Sequence, residues 1–350
     1  MKVLPSDATA LGTLLLQQRH APAGHAALQA RVLVEAELKG HPSHGLQRLP
    51  RLLTRIERGL ADPSTAGISR WRSDAVLEVD GERGLGPVVA MKALDQLADR
   101  VATSGIALAA ISNSNHLGML AWYVEQVAAL GHIGIALSTS EALVHPHGGT
   151  RAMLGTNPLA IAVPTAARPL VLDLATSTVS MGKIHHYAGS GRPLPEGWAR
   201  DADGQPTTDA ARARQGAIAP FGDAKGYGIG MAIELLVAAL AGSALAPEIR
   251  GTLDAEAICN KGDVLMVIRT SAAPHLAQRL AAYLNDVRTS PAADADRPVR
   301  VPGDGAARRR EKALHDGFDI APSLWAELQA LARSAPVSPA PSPIPQGQQQ

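Results

Sequence analysis

The chain has 350 residues, of which 46% are hydrophobic, so it is long enough to bury a large core and to form two subdomains. Its 33 basic and 32 acidic residues nearly cancel, which gives no strong field for nucleic acid or an anionic membrane. The single cysteine, Cys259, excludes an internal disulfide framework and a four-thiolate metal site. Because we find neither an apolar run of membrane length nor a secretion signal, we expect a cytoplasmic protein without a nucleic-acid or membrane partner.

The N-terminal part is predicted to be helical. Leucine and alanine recur at three- and four-residue spacing over residues 6–40, with a break at Pro22-Ala-Gly24. A second apolar stripe follows over residues 46–60, and Pro50 lies inside it, where it lacks the amide for a helix hydrogen bond. Either this helix kinks at Pro50, or residues 44–49 form a separate turn before a helix that begins there. Both alternatives place His44 at a bend of the chain.

This bend carries a candidate catalytic pair. His44 follows Ser43, and Arg48 comes four residues later, which would put the two side chains on one face of a helix. Arginine grips a carboxylate with two hydrogen bonds, and histidine exchanges a proton near neutral pH. The pair therefore suits a small acid with a carboxylate beside a hydroxyl or carbonyl group. The structural alternative is a serine N-cap followed by a surface histidine.

Strands and helices alternate after the bend, which is typical of an α/β layer. Residues 186–220 are predicted to be loop, and the Pro- and Gln-rich tail after Ser334 is predicted to be disordered. Strands are predicted at 75–80, 106–112, 133–138, 160–164, 170–174 and 264–268, and helices at 87–104, 119–130, 225–240, 274–287, around 308–312 and at 322–332.

Several of these elements end or begin in polar or glycine-rich segments, although the dinucleotide fingerprint G-x-G-x-x-G is missing. Lys225-Gly-Tyr-Gly-Ile-Gly230 opens a helix whose amides could hold phosphate, or it is a glycine-rich helix packed closely on a neighbour. Asn113-Ser-Asn-His116 ends a strand and is either a polar pocket wall or a capping turn. Asp173-Leu-Ala-Thr-Ser177 could bind ribose hydroxyls or cap a helix.

The twelve histidines raise a metal hypothesis. His145-Pro-His147 and His185-His186 are close in sequence, and neutral imidazole is a common metal ligand. However, the motif H-E-x-x-H is missing and Pro146 stiffens the first pair, so we predict no metal site. A metal-dependent hydrolase and a non-catalytic dinucleotide-binding protein remain as alternatives from other functional classes.

The candidate segments belong to a longer series of short motifs, which covers about residues 10–332. The series comprises Ser43-His-Gly with Arg48, Val79-Asp-Gly with Gly84-Leu-Gly86, Asn113-Ser-Asn-His116, Gly148-Gly149, Leu154-Gly-Thr-Asn-Pro158, Asp173-Leu-Ala-Thr176, Gly182-Lys-Ile184, Pro195-Glu-Gly-Trp198, Asp203-Gly204, Lys225-Gly226 and Val301-Pro-Gly303. In their order, spacing and residue identities these motifs resemble the malate/L-lactate/L-sulfolactate dehydrogenase family, also called the type-2 lactate dehydrogenase-like oxidoreductases.

The resemblance implies an α/β fold whose nicotinamide-cofactor domain is not a Rossmann fold, with a large mixed sheet flanked by helices. It also implies a mainly helical domain from the N-terminal and C-terminal segments. The expected boundaries are residues 1–74 and 306–333 for the helical domain, 75–305 for the NAD(P)-binding domain and 334–350 for the tail. The implied activity is hydride transfer between NAD(P) and C2 of a small 2-hydroxy or 2-oxo acid, in a homodimer whose site lies near the subunit boundary.

The resemblance also assigns roles to individual residues. His44 would exchange the substrate proton with help from Ser43, Arg48 would bind the carboxylate, and Thr156 and His116 would lie near the substrate. Cofactor contacts would come from His116, Leu117, Gly118, Met119, Leu120, Asp173, Leu174, Ala175, Lys225, Gly226, Gly303, Asp304 and Gly305.

Two departures from the family pattern leave the substrate open. Pro146-His-Gly-Gly149 stands where many relatives have Pro-Trp-Gly-Gly, and Lys261-Gly-Asp-Val264 replaces a frequent Gly-His-Phe-Phe. Malate, lactate and sulfolactate are the expected acids, and NADPH-dependent reduction of a cyclic imine carboxylate such as piperideine-2-carboxylate is the alternative. We expect NAD as the cofactor, with NADP as the alternative because Arg308 to Arg310 could accept a 2′-phosphate.

Overall fold

The computed structural model describes residues 1–270 and 273–334, within which the chain forms eleven α-helices and twelve strands. A short strand, β1 (Lys2–Val3), precedes helices α1 (Pro5–Gln17) and α2 (Ala23–Leu38), so the predicted break at Pro22-Ala-Gly24 separates two helices. Pro5 opens α1, where a missing amide hydrogen costs nothing. The tail predicted to be disordered lies outside the described residues.

The bend that carries His44 consists of two short 3-10 turns, Pro42–His44 and Leu46–Arg48. Helix α3 (Leu49–Glu57) follows directly, and Pro50 lies in its first turn, where its ring is tolerated. Of the two alternatives, the separate turn before the helix is therefore correct. Their four-residue spacing alone predicts that His44 and Arg48 share one face of an α-helix. They do not, because the two residues lie on separate turns rather than on one continuous helix.

The strands and helices predicted after the bend are present, with bounds that differ from the predicted ones mostly by one or two residues, and further short elements lie between them. The strands are β2 (Ile68–Ser73), β3 (Val76–Asp80), β4 (Ile106–Ser112), β5 (Ile133–Ser138), β6 (Leu159–Val163), β7 (Leu170–Leu174), β8 (Ala199–Arg200), β9 (Pro206–Thr207), β10 (Ala217–Ile218), β11 (Asp263–Ile268) and β12 (Phe318–Asp319). The helices are α4 (Gly86–Ser104), α5 (Ala121–Ala129), α6 (Met181–Gly189), α7 (Ala210–Ala213), α8 (Ala224–Ala241), α9 (Pro274–Thr289), α10 (Asp304–Asp316) and α11 (Pro322–Arg333).

Seven of the described strands form one mixed sheet in the order β2-β3-β4-β11-β5-β6-β7. Only β3 and β4 pair in parallel, and the other neighbours are antiparallel. Alternate side chains of β11 point to opposite faces: Leu265 and Val267 pack with α4 and α5, whereas Val264 packs with Ile233 and Val237 of α8. Helices therefore cover both faces of the sheet, which agrees with the predicted fold class.

A second hydrophobic cluster joins the two ends of the described chain. Side chains of α1, α2 and α3 pack with Phe318, Ile320 and Leu328 from the C-terminal part, and β1 pairs with β12 in an antiparallel ladder. This cluster is mainly helical, because apart from that two-residue ladder its members lie on helices and turns. The domain boundaries implied by the resemblance stay a prediction.

Two regions differ from the sequence-based expectations. Residues 186–220, predicted to be loop, contain the end of α6, helix α7 and a small sheet with the strand order β10-β8-β9. These strands have two residues each, too few to show an alternating pattern in the sequence. The edge strand β2 was also missed, because its polar and exposed sequence ISRWRS resembles a loop.

Helix α8 corrects a further expectation, that no apolar run reaches membrane length. Of the described helices, α8 alone is long and apolar enough to cross a membrane, judged by length and composition. One side of it packs on the sheet through Ile233 and Val237. The other side exposes large apolar side chains, with 42% of Ile229, 54% of Leu235 and 39% of Leu236 accessible.

Candidate active site

The conformation of the bend depends on a buried carboxyl group of α2. Glu37 accepts a hydrogen bond from the Leu46 amide at 2.8 Å and so fixes the second 3-10 turn. Gly45 lies directly against this carboxyl group, since a Cβ atom added there would be 2.2 Å from Oε1 of Glu37. A glycine is therefore required between the turn that carries His44 and the turn that carries Arg48.

His44 stacks on His116, which follows strand β4. The ring centroids are 5.4 Å apart and the planes differ by 18°. Nδ1 of His44 is buried and has no hydrogen-bond partner among the described residues, whereas Nδ1 of His116 accepts the Gly118 amide at 2.9 Å. The bend and the segment after β4, far apart in sequence, thus meet in one site.

Both histidines are held in the neutral state. Burial, and after it the positive charge of Arg48, lowers the pKa of His44 to about 3. The pKa of His116 also lies well below its usual range, chiefly through burial and then through Arg48. At neutral pH the site therefore offers two uncharged imidazoles.

Arg48 is tied to the bend and to a loop before β11. Its Nε donates to the Ser43 carbonyl at 2.8 Å, and its Nη1 donates to the Thr252 carbonyl at 3.1 Å. Burial lowers its pKa to about 10, so the guanidinium keeps its charge at neutral pH. Arg48 lines a cleft together with Gln29, Leu33, Arg51, Leu52, Arg55, Asn115, His116, Gly118, Gly251 and Thr252.

Sequence reasoning missed several residues of this cleft, above all Arg51 and Arg55. Together with Arg48 they recur at three- and four-residue spacing along α3, a signal that the apolar stripe of the same helix concealed. Arg55 donates to Oδ1 of Asn115 at 3.1 Å. Asn115 therefore has a structural role, as does Asn113, which donates to Asp80 at 2.8 Å. The segment 113–116 is thus partly a capping turn and partly a wall of the cleft.

Three of the predicted cofactor segments meet at strand β7. Asp173 of β7 accepts the Ala121 amide at the start of α5 at 2.7 Å, and burial raises the pKa of its carboxyl group to about 6. Gly303, at the start of α10, lies so close to Val171 that an added Cβ atom would be 2.9 Å from the Val171 carbonyl oxygen. Gly226, in the first turn of α8, approaches the Thr176 carbonyl oxygen equally closely.

The residues that surround β7 fit a dinucleotide. The N-terminus of α10, which begins directly after Gly303, lies beside β7, and the positive end of a helix dipole attracts the negative charge of a diphosphate. Gly303 has a φ of +93°, a left-handed conformation that disfavours any side chain at this position. The carboxylate of Asp173 is of the kind that accepts hydrogen bonds from ribose hydroxyl groups. A side chain at position 303 would also lie between β7 and the start of α10, where a cofactor would have to approach the helix.

The other predicted cofactor residues lie around this region in different environments. Leu117, Met119 and Leu120 are buried, and Met119 packs on Ala36 and Val171, so it connects α2 to β7. Lys225 is exposed in the first turn of α8, and Asp304 is held by Arg288 through two hydrogen bonds of 2.8 Å. Leu174 ends β7, Ala175 follows it, and Gly305 lies in the first turn of α10.

Of the two remaining predicted site residues, Ser43 belongs to the bend, whereas Thr156 lies beside the end of β7. Ser43 faces the start of α6, where a Cβ atom added to Gly182 would be 3.0 Å from the Ser43 Cβ atom. Thr156 instead accepts a hydrogen bond from the Thr176 amide at 2.8 Å, next to the end of β7. In the described part of the chain no hydrogen bond joins Thr156 to His44 or Arg48.

The histidines of the metal hypothesis do not converge. Nδ1 of His145 lies 2.9 Å from the Pro146 carbonyl oxygen, and His147, His185 and His186 are exposed. Over residues 1–270 and 273–334 no group of three or more His, Cys, Asp or Glu side chains is arranged to hold a metal ion.

The second family departure, Lys261-Gly-Asp263, forms a buried ion pair. Lys261 and Asp263 contact each other at the start of β11, with side chains 1% and 0% exposed, and Ser138 donates to Asp263 at 2.6 Å. This end of β11 pairs with Ile111, near the end of β4. The ion pair therefore lies at the end of these two inner strands, where the chain continues from β4 to His116. The Lys261 charge contributes to the low pKa of His116.

A family model described as malate/L-lactate dehydrogenase matches residues 3–329, so the chain belongs to the malate/L-lactate dehydrogenase family. A solved dehydrogenase from Sinorhizobium meliloti is 54% identical, with a TM-score of 0.91 over 95% of this chain and 98% of that chain.

Two of the curated relatives have names that describe different activities. The L-sulfolactate dehydrogenase of Methanocaldococcus jannaschii is 34% identical over 320 residues, which are 91% of this chain and 92% of the relative. The Delta(1)-pyrroline-2-carboxylate reductase of Pseudomonas fluorescens is 38% identical over 243 residues, which are 69% of this chain and 72% of the relative.

Family membership confirms the predicted fold class and the predicted enzyme class. The protein is a 2-hydroxy acid dehydrogenase, so the metal-dependent hydrolase and the non-catalytic dinucleotide-binding protein are wrong.

Proposed function

We propose that the protein interconverts a small 2-hydroxy acid and its 2-oxo acid, with His44 as the proton donor and acceptor and Arg48 as the carboxylate anchor. The observation that carries this proposal is the juxtaposition of a half-buried neutral imidazole and a charged guanidinium on one bend of the chain. When bound, the nicotinamide cofactor supplies or accepts the hydride at C2 of the acid.

The neutral state of His44 suits the oxidation of the 2-hydroxy acid directly, whereas the reduction of the 2-oxo acid requires that His44 is protonated first. A neutral imidazole takes up the hydroxyl proton as the 2-hydroxy acid is oxidised. In the reverse direction His44 has to be protonated first. A substrate carboxylate that pairs with Arg48 cancels the positive charge that lowers the pKa of His44, and so favours this protonation.

Arg48 has a free end for the carboxylate. Its Nε and Nη1 are used by the carbonyl groups of Ser43 and Thr252, while no described residue accepts a hydrogen bond from Nη2. Because Arg48 holds the Ser43 carbonyl, it also fixes the orientation of the turn that carries His44. We assign His116 and Thr156 to the substrate side of the site and Ser43 to the support of His44.

The test is to replace His44 by alanine and to measure NAD(P)H oxidation with a panel of 2-oxo acids. General acid catalysis typically contributes about a hundred- to ten-thousand-fold, so we expect a loss of kcat of that size. His315→Ala is the matched control, because His315 is exposed and lies outside the cleft. Activity of His44→Ala within a few-fold of the unmodified enzyme would refute the assignment.

We propose NAD as the preferred cofactor. Of the three arginines that could accept a 2′-phosphate, Arg309 donates to the Lys39 carbonyl at 2.7 Å and Arg310 pairs with Glu35 at 2.5 Å. A carboxylate at Asp173 suits ribose hydroxyl groups and would repel a phosphate. A comparison of kcat/KM for NADH and NADPH tests this, and a preference for NADPH would contradict it.

Reduction of a cyclic imine carboxylate is the second candidate activity. It is favoured by the similarity to a relative named Delta(1)-pyrroline-2-carboxylate reductase. The carboxylate anchor would stay the same, but the proton would go to nitrogen. Assays with pyruvate, oxaloacetate and sulfopyruvate beside piperideine-2-carboxylate distinguish the two activities.

We propose a homodimer in which the exposed face of α8, formed by Ile229, Leu235 and Leu236, packs against a second copy. Apolar area of this kind on one helix favours burial in an interface. Lys225 and Gly226 lie in the first turn of this helix, so the partner would lie close to the proposed cofactor region. Leu236→Asp should produce a monomer in sedimentation experiments, whereas the control Leu14→Asp should not. Partition of the unmodified protein into membranes would favour a lipid surface instead.

We further propose a cytoplasmic location, which rests on the free and buried Cys259 and on the need for a nicotinamide cofactor. Fractionation of cells that produce the protein tests it.

A further inference from the structure

We propose that Arg51 binds a second acidic group of the substrate, so that the preferred substrate is a 2-oxo or 2-hydroxy diacid rather than a monocarboxylic acid. The second group would be a carboxylate or a sulfonate at the far end of a short carbon chain. This inference rests on the proposed function, because it takes Arg48 as the anchor for the first carboxylate.

The three arginines of the cleft are used differently. Arg55 is buried and its guanidinium donates to Asn115 and to the carbonyl groups of Asp254 and Ala257, at 3.1, 3.0 and 2.9 Å. Arg48 is held by the bend and by Thr252. Arg51 lines the same cleft, is exposed, and makes no hydrogen bond or ion pair with any described residue.

The acidic groups near the cleft are already satisfied. The Glu141 carboxylate accepts the amides of Thr252 and Leu253 at 2.8 and 3.0 Å. The Asp254 carboxylate accepts the amides of Gly251, Glu256 and Ala257 at 2.9, 2.8 and 3.0 Å. Among residues 1–270 and 273–334 no carboxylate pairs with Arg51, so the positive charge of this cleft residue is not neutralised by them. That charge is close enough to lower the pKa of both Arg48 and His116.

The spacing of the arginines fits a small diacid. Arg48 precedes α3 and Arg51 lies one turn further, and residues three apart on a helix have Cβ atoms about 5–6 Å from each other. Two guanidinium groups at this spacing suit acidic groups at the two ends of a three- or four-carbon chain. A monocarboxylic acid would neutralise Arg48 and leave Arg51 without a partner.

The experiment compares Arg51→Met and Arg51→Lys with Arg58→Met. Arg58 is the matched control, because it belongs to the same helix end region and is exposed but does not line the cleft. For each variant, kcat/KM is measured with oxaloacetate and sulfopyruvate as diacids and with pyruvate as the monoacid.

We expect Arg51→Met to lower kcat/KM for the diacids about ten- to hundredfold, the size of one lost charge-assisted hydrogen bond. The value for pyruvate should change less than about threefold, since pyruvate places no charge near Arg51. Arg51→Lys should retain part of the diacid activity, and Arg58→Met should resemble the unmodified enzyme. An equal loss for diacids and pyruvate, or no loss for the diacids, would overturn the inference.

A binding measurement separates this inference from the proposed function. Calorimetry with L-malate and L-lactate, in the presence of NADH, reports the second acidic group without requiring turnover. We expect tighter binding of malate, and Arg51→Met should abolish the difference. If no 2-oxo acid is turned over but malate binding still depends on Arg51, the proposed function fails and the diacid subsite stands. If malate and lactate bind the unmodified enzyme equally, the subsite is refuted.

Discussion

Replacing Glu37 by glutamine would remove a charge that the fold holds beneath the bend of His44. The Glu37 side chain belongs to α2 and is almost completely buried, with 8% of the residue exposed. Burial raises the pKa of its carboxyl group from 4.5 to about 7, and the hydrogen bond from the Leu46 amide opposes this rise. Glutamine keeps the oxygen acceptor for Leu46 and has nearly the same volume, so the change isolates the charge.

The expected effect on stability follows from the difference in pKa between the two states of the chain. The folded protein holds the Glu37 proton more tightly than the unfolded chain, so ionisation of Glu37 opposes folding. The favourable contribution of the protonated group is complete below pH 4.5 and is lost as the pH rises to about 7. Each pKa unit corresponds to about 1.4 kcal/mol, so the full cost of the charge is about 3 kcal/mol above neutral pH.

Chemical unfolding at pH 5 and pH 8.5 measures this effect. We expect Glu37→Gln to exceed the unmodified protein in its free energy of unfolding by about 1 kcal/mol at pH 5 and by about 3 kcal/mol at pH 8.5. Glu196→Gln, at an exposed position, should show no such dependence on pH. A Glu37→Gln protein that is less stable than the unmodified protein at both pH values would refute the reasoning, as would a difference that does not change with pH.

Three further predictions concern the surroundings of the site. Gly45→Ala should cost about 1–3 kcal/mol of stability and reduce kcat, because the new Cβ atom would collide with Glu37; unchanged kinetics would contradict this. Lys261→Met should cost about 3–5 kcal/mol in chemical unfolding by leaving Asp263 charged and buried, and adding Asp263→Leu should restore most of the loss. Binding of L-lactate with NADH near pH 5 should take up a proton at His44, detected by calorimetry in two buffers and lost in His44→Ala; absence of uptake in the unmodified enzyme would exclude the coupling.

The local patterns of the sequence were sufficient for most of the fold. Helix α4 carries its apolar residues at helical spacing, and β4 is a short continuous apolar run typical of a buried strand, so their positions could be predicted to within a few residues. The strands β8 to β10 could not, because a two-residue strand is too short to show a period and is defined only by its pairing with another strand. The sheet order, with β11 inserted between β4 and β5, likewise depends on long-range pairing.

The candidate site was predictable where its residues are neighbours in sequence. Ser43, His44 and Arg48 lie on one short bend, and Pro50 already placed a break close to them. The stacking of His44 on His116 and the support of Asn115 by Arg55 join residues more than 50 positions apart, which no spacing rule reveals. The unpaired state of Arg51 was also hidden, because the sequence shows the charge but not which partners are absent among the described residues.

In the mechanism we propose, the low pKa of His44 makes carboxylate recognition a condition for proton transfer. In the folded protein Arg48 and burial together keep His44 neutral, so at neutral pH it cannot donate a proton to a carbonyl group by itself. A bound carboxylate neutralises Arg48 and thereby removes one of the charges that oppose protonation of His44. A ketone without the acid group would leave this charge in place, so it would be held poorly and would also meet an imidazole without its proton. In this proposed mechanism the same arginine would select the substrate twice, once by binding it and once by controlling the acid that completes its reduction.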